Sequence, residues 1–303
     1  MSTATAPPGI ADALRCPVIY VTGKGGVGKS TVAGAIAVAK ARAGLRVALM
    51  EVDDDEAGKR ALRGADAKVD HVVITFESSI EAAFAPIVGG ALVARAVARQ
   101  HAVRKLIRGM PATREFFSLE AVRTLKADGQ HDVIVVDLPA SGHAVDWLRV
   151  PGAFERFLAG GPLGALGRRV HDEVVARGRA DVVIVALAEP LVIKETEQLS
   201  QRFLDEMGRR PSLVVVNRVA SRDPEGALDA ALRLAALFPD DPRPRELAGI
   251  LRGRAERARD AFEALRLARG LDGVKVLAVP ESAVDPSVLD VVRWLDLSAK
   301  VTA

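Results

Sequence analysis

Nine consecutive residues, Gly23-Lys24-Gly25-Gly26-Val27-Gly28-Lys29-Ser30-Thr31, have the types and spacing to hold a phosphate chain. They satisfy G-x-x-x-x-G-K-[S/T], with Gly23, Gly28, Lys29 and Ser30 in the fixed positions. Glycines let the backbone bend so that successive N–H groups point inward at phosphate oxygens. A helix opening at the end of such a loop adds the positive end of its dipole. Lys29 supplies a full charge at the β and γ phosphates, and Ser30 a hydroxyl for Mg²⁺. The implied cofactors are ATP and Mg²⁺, bound by Gly25, Gly26, Val27, Gly28, Lys29, Ser30 and Thr31.

Two acidic positions complete the chemistry. Glu51-Val52-Asp53-Asp54-Asp55 closes an apolar run, and Asp53 stands 24 residues beyond Lys29. A carboxylate at the carboxyl end of a strand, where ligands of parallel sheets sit, can orient an attacking water or hold a Mg²⁺-bound one. Asp54 or Asp55 is expected to cap the helix that follows. The run Asp132-Val-Ile-Val-Val-Asp137 ends in a second carboxylate, a Walker B pattern in which Asp137 reaches Mg²⁺ through water. Leu138-Pro139-Ala140-Ser141-Gly142-His143 then reads as a mobile loop sensing the γ-phosphate. His71, His101, His131 and His171 show no ligand spacing and are assigned structural roles.

The elements that must carry these residues are short and β-branched. The runs Val18–Thr22, Arg46–Val52, Asp70–Phe76, Asp132–Asp137, Asp181–Leu187, Leu213–Asn217 and Val274–Val279 are apolar without strict alternation, as strands covered on both faces read. Helical stretches lie between most of them, which implies βαβ units. The expected fold is α/β, a three-layer P-loop NTPase with a mostly parallel sheet of about seven strands and small helical insertions. Residues 1–303 then form one domain. Residues 1–15 are a flexible lead, 78–128 and 150–180 are helical segments, and 224–270 is a helical insertion. In that insertion a Pro/Asp break precedes a helix over about Glu246–Arg269, packed through Leu247, Ile250, Leu251, Ala258, Phe262, Leu265 and Leu267. The apolar stretch Ala82–Ala94 is too short and too interrupted to span a bilayer, and reads as a buried helix or lid.

The second loop residue is another lysine, Lys24. Here the sequence resembles the deviant Walker A loop, GKGGVGK[S/T]T, of the dimeric ATPases that include ParA, MinD, the nitrogenase iron protein and ArsA. The resemblance implies that Lys24 reaches across a dimer interface to the partner's nucleotide, where it stabilises transition-state charge. Further segments resemble the compact bacterial ArsA-like and tail-anchored-protein-targeting branch. These are Gly142-His143, Asp146–Pro151, Glu189-Pro190 with Lys194-Glu195-Thr196, and Val214-Val215-Val216-Asn217-Arg218. In that branch the asparagine equivalent to Asn217 binds adenine, and Pro280-Glu281 falls where its other adenine-side loop lies. The resemblance covers about Val18 to Val284. It implies a nucleotide switch that works as a homodimer, or as a heterodimer with a sister ATPase chain, and serves a hydrophobic or membrane-protein client. One departure is Asp54, where the branch usually has proline.

Composition narrows the reading. The 303 residues contain one cysteine, Cys16, which removes a disulfide framework, an arsenite site built on cysteines, an iron–sulfur cluster and a zinc-clamped dimer. The net charge of +3 gives little reason to expect nucleic acid. The first residues lack a basic stretch followed by an apolar core, so a cytoplasmic location is expected. Two alternatives remain open on the sequence: a ParA- or MinD-like positioning ATPase acting on membrane or DNA, and a nucleotide-dependent scaffold with little hydrolysis. An apolar face on the last helix (Val288, Leu289, Val291, Val292, Trp294, Leu295) is the feature that would serve a membrane, but few cations flank it and it reads as a docked last helix.

Overall fold

Seven β-branched runs pair into one sheet in the computed structural model, which describes residues 9–52, 56–75, 78–80, 112–139, 144–159, 161–220 and 224–301. The strands are β1 Val18–Thr22, β2 Val47–Val52, β3 Asp70–Ile74, β4 Val133–Asp137, β5 Ala180–Leu187, β6 Leu213–Val219 and β7 Lys275–Pro280. Their spatial order is β3-β2-β4-β1-β5-β6-β7, and every pairing is parallel. The strands therefore lie within two residues of the expected runs at most ends. Phe76, at the end of the third run, lies outside the described residues.

Successive side chains on each strand serve opposite faces. Ile19, Val21, Leu49, Val135, Val183 and Val185 enter one core with helix α1 (Ile10–Ala13), α2 (Lys29–Arg42) and the last helix, α10 (Val288–Val301). Val18, Tyr20, Met50, Val136, Val182 and Val214 enter the other. That second core is covered by α4 (Thr113–Ala127), α5 (Ala144–Phe157), α6 (Pro162–Val170), a π-helical turn (His171–Val175), α7 (Pro190–Met207) and the end of α9 (Pro242–Arg269). The short α3 (Glu56–Ala61) packs on α2, where Gly34 lets the two approach: a Cβ there would stand 2.8 Å from the Ala61 carbonyl oxygen.

Two expectations are corrected. The lead is anchored from Gly9 onward. Ile10 and Leu14 are fully buried, the Ile10 N–H donates to Asp296, and the Lys40 ammonium donates to the carbonyls of Ala11 and Leu14. Those two carbonyls give an otherwise buried lysine its partners, so α1 is fixed by polar as well as apolar contacts. The insertion also packs differently. Leu247, Ile250 and Phe262 are exposed, and the buried stripe of α9 is Ala248, Leu251, Ala255, Ala258, Ala261, Ala264 and Ala268. Small residues at three- and four-residue spacing let this long helix lie close to α8 (Glu225–Leu237) and then to α7. The last helix is docked as expected: Val288, Val291, Val292 and Leu295 are buried against α2 and the sheet, which leaves that face unavailable to a bilayer.

The segments 78–128 and 150–180 contribute α4, α5, α6 and the π turn to the same core as the sheet. Residues 81–111, with the Ala82–Ala94 stretch and His101, lie outside the described residues. Among the described residues no helix is long and apolar enough to cross a membrane.

At the amino edge of the sheet Asp132 accepts hydrogen bonds from the Arg46 N–H and guanidinium, tying the start of β2 to the start of β4. These contacts hold the Asp132 carboxyl down at about 2. A depressed carboxyl contributes stability above its ordinary value and loses it as pH falls through the folded one. Asp132→Asn is expected to lower the urea midpoint slightly at pH 6, with the deficit vanishing between pH 4 and 2. A deficit that persists at pH 2 would contradict this account.

Candidate nucleotide site

The connections from β1 run to one side through β2, β3 and β4 and then to the other through β5, so β1 stands at the reversal point of the sheet. Its carboxyl end is the place where parallel sheets bind ligands. The loop there keeps two glycines for steric reasons. Gly23 has φ +150°, and a Cβ on it would fall 2.2 Å from the Val185 carbonyl oxygen of β5. Gly28 has φ +92°, and its Cβ would fall 2.4 Å from the Asn217 side-chain nitrogen. Gly25 and Gly26 are exposed at the loop's rim, and nothing lies within 4 Å of where a Gly26 Cβ would be. Val27 is buried beneath them.

α2 begins at Lys29, so Lys29, Ser30 and Thr31 form its first turn, where unpaired N–H groups collect. Lys29 is 8% exposed, and its ammonium donates to the Lys24 carbonyl oxygen at 3.2 Å. Burial pushes its pKa down, and the nearby Asp137 carboxylate pulls it back up. A desolvated ammonium with one carbonyl partner is poised for a stronger anion. Asp137 closes β4 opposite Val21 and is largely buried. Strand pairing thus brings the Walker B carboxylate beside the loop.

Lys24 points elsewhere. Its side chain is 68% exposed and its ammonium pairs with Glu195 of α7 at 3.3 Å. Asn217 braces the loop: its Nδ2 donates to the Val27 carbonyl at 2.8 Å, and its Oδ1 accepts from the Arg218 N–H. Arg218 itself has φ +58°, within a register irregularity between β6 and β7. Glu281 donates its N–H to the Val219 carbonyl, which sets Pro280-Glu281 beside the Asn217-Arg218 end of β6. So Lys24, Lys29, Ser30, Thr31, Asp137, Asn217, Arg218, Pro280 and Glu281 all lie at one sheet edge. Asp53, Asp54, Asp55, Ser141, Gly142 and His143 lie outside the described residues.

Comparison with known proteins decides the family. Residues 18–264 match the profile described as the CobQ/CobB/MinD/ParA nucleotide binding domain. The chain belongs to this family. It is a deviant Walker A P-loop ATPase, and two of the relatives below are named as ATPases. ATPase BagA of Mycobacterium tuberculosis is 28% identical over 287 residues, covering 84% of each chain. A putative arsenical pump-driving ATPase of Halobacterium salinarum is 25% identical over 237 residues, covering 68% of this chain and 36% of that protein. An uncharacterized Streptomyces coelicolor protein is 27% identical over 315 residues, covering 90% of this chain.

Two features of this MinD/ParA-type site escape a reading of spacing. Glu195 is part of a recognisable segment, but nothing in its position along the chain says that it holds Lys24. The only hint is topological, since α7 starts at the same sheet edge as the loop. The hydrogen bond from Asn217 to the Val27 carbonyl is likewise a tertiary contact. It makes this asparagine a brace of the phosphate loop.

Proposed function

We propose that the chain is a dimeric nucleotide switch, in which Mg²⁺-ATP closes two copies and hydrolysis reopens them. The observation that carries this reading is the direction of Lys24, which leaves its own loop and rests on Glu195 at the surface. An ion pair this exposed is worth about 0–1 kcal/mol, so a phosphate chain presented by a second subunit can displace it. ATP would lie along residues 25–31, with Lys29 at the β and γ phosphates and Asn217, Arg218, Pro280 and Glu281 around the base. The residues present suit magnesium: a hydroxyl at Ser30 in the first turn of α2 and carboxylates at Asp137 and Asp53, the hard oxygen donors this ion prefers. When bound, the ion neutralises charge on the phosphate oxygens. Asp53 would orient the attacking water.

The partner is a second copy or a sister ATPase chain, and the difference between open and closed forms is what a hydrophobic or membrane-protein client reads. The test is ATP turnover per chain as a function of protein concentration. Turnover is expected to rise with concentration and then level off, and Lys24→Ala is expected to remove the rise. Turnover independent of concentration and indifferent to that substitution would exclude the reading.

A further inference from the structure

A cavity lies away from the phosphate loop, at the amino edge of the sheet where β5 begins. It has a volume of about 230 Å³ and opens between α5, the π turn and the end of α7. Its walls carry Arg149 and Arg156 from α5, His171 and Arg177 from the two sides of the π turn, and Arg209 from the turn after α7. One carboxylate, Glu206, stands among them, and it is already shared by Arg149 and Arg202.

The remaining cations are poorly matched from within the chain. Arg209 donates through Nη1 to the Ala180 carbonyl at 2.7 Å, while its Nη2 is buried with no hydrogen-bond partner among the described residues. A buried guanidinium nitrogen left unmade is costly, and such groups call for an explanation. Burial pushes the Arg209 pKa down, which is the same desolvation seen from the proton's side. Arg156 and Arg177 are exposed at the cavity mouth with no ion pair among the described residues. Among the described residues His171 pairs only with the adjacent Asp172, at 3.1 Å.

We propose that this cavity binds a small phosphoryl-bearing anion, at a site separate from the nucleotide site. Guanidinium groups approach from three elements, and a phosphoryl group offers three oxygens to accept from three directions, where a carboxylate offers two. The volume is below the ~300–1,000 Å³ of pockets for drug-sized ligands, which suits a compact phosphorylated molecule. The site stands whether or not the chain works as a dimer, because every wall comes from one subunit.

Isothermal titration of inorganic phosphate into the full chain tests this, in a chloride buffer, with three proteins compared. These are the unaltered chain, Lys29→Ala to disable the phosphate loop, and the double substitution Arg156→Ser/Arg177→Ser. Both arginines are exposed, so an unchanged melting temperature without phosphate is expected and verifies folding. Phosphate binding is expected to persist in Lys29→Ala and to weaken about tenfold or more in the double variant, through loss of two charge-assisted donors. Turnover of the double variant at saturating ATP is expected to match that of the unaltered chain. No phosphate binding to any protein would overturn the proposal. Binding lost in Lys29→Ala but kept in the double variant would overturn it too, since the phosphate loop would then account for all of it.

Discussion

Lys29→Ala is expected to lower kcat/KM for ATP by about 10²–10³-fold or more, the range for removing one preorganised donor from developing charge. The structure supplies the reason for the upper end. Lys29 is a desolvated ammonium, held by one carbonyl and facing the Asp137 carboxylate. Its interaction with a phosphate chain is therefore weakly screened by water. The same substitution is expected to abolish stabilisation by nucleotide. A ligand at 100 times its dissociation constant adds about 2.7 kcal/mol to folding stability, which registers as a rise in melting temperature. That rise is expected for the unaltered chain with ATP and is expected to vanish in Lys29→Ala.

Without nucleotide the sign reverses. The folded pKa of Lys29 lies below its ordinary value, so between the two the unfolded chain binds more protons than the folded one. Stability from this group is poorest below the folded pKa and recovers as pH rises toward 10.5. Removing the charge thus relieves a penalty at neutral pH, and the nucleotide-free variant is expected to be no less stable than its parent at pH 7. A variant that kept its ATP-dependent shift, or that lost stability without nucleotide, would show that Lys29 does not carry this role.

What was legible in the sequence follows the physics of each signal. A parallel sheet covered on both faces demands continuous apolar strands, and the seven Val- and Ile-rich runs announce themselves by composition alone. The phosphate loop is equally plain, because its glycines answer to the chain's own close contacts at Val185 and Asn217. The packing of α9 was hidden for the opposite reason. Its buried stripe is mostly alanine, which hydropathy barely distinguishes, while the larger Leu247, Ile250 and Phe262 lie outside. Alanine buries little area per residue but permits close approach, and only the tertiary neighbour reveals that. The docking of Ile10 and Leu14 depends on Lys40 and Asp296, residues far along the chain, as does the pairing of Lys24 with Glu195. Contacts of this kind leave no periodic trace.

Mixing two inactive variants is expected to restore activity if Lys24 acts on the partner's nucleotide. Lys24→Ala keeps the whole of its own phosphate loop but offers its partner no lysine. Lys29→Ala has a disabled loop but still presents Lys24. In a mixed dimer the first chain's loop is intact and is served by the second chain's Lys24, so one site of the two is complete. At equal amounts, half of the dimers are mixed and each has one competent site, so roughly a quarter of the unaltered activity is expected. Each variant alone is expected to fall about 10³-fold or further, the scale on which a charge supplied in trans assists phosphoryl transfer. The structure makes the transfer inexpensive. Lys24 is held by one exposed contact to Glu195, so the single chain keeps it oriented without burying it. A lysine that instead served its own nucleotide would give no recovery on mixing, because each chain would then lack a residue its own site requires. Recovery that grows with total protein concentration would tie the effect to association of two chains. Its absence at every ratio would return Lys24 to its own loop and remove the dimer from the catalytic account.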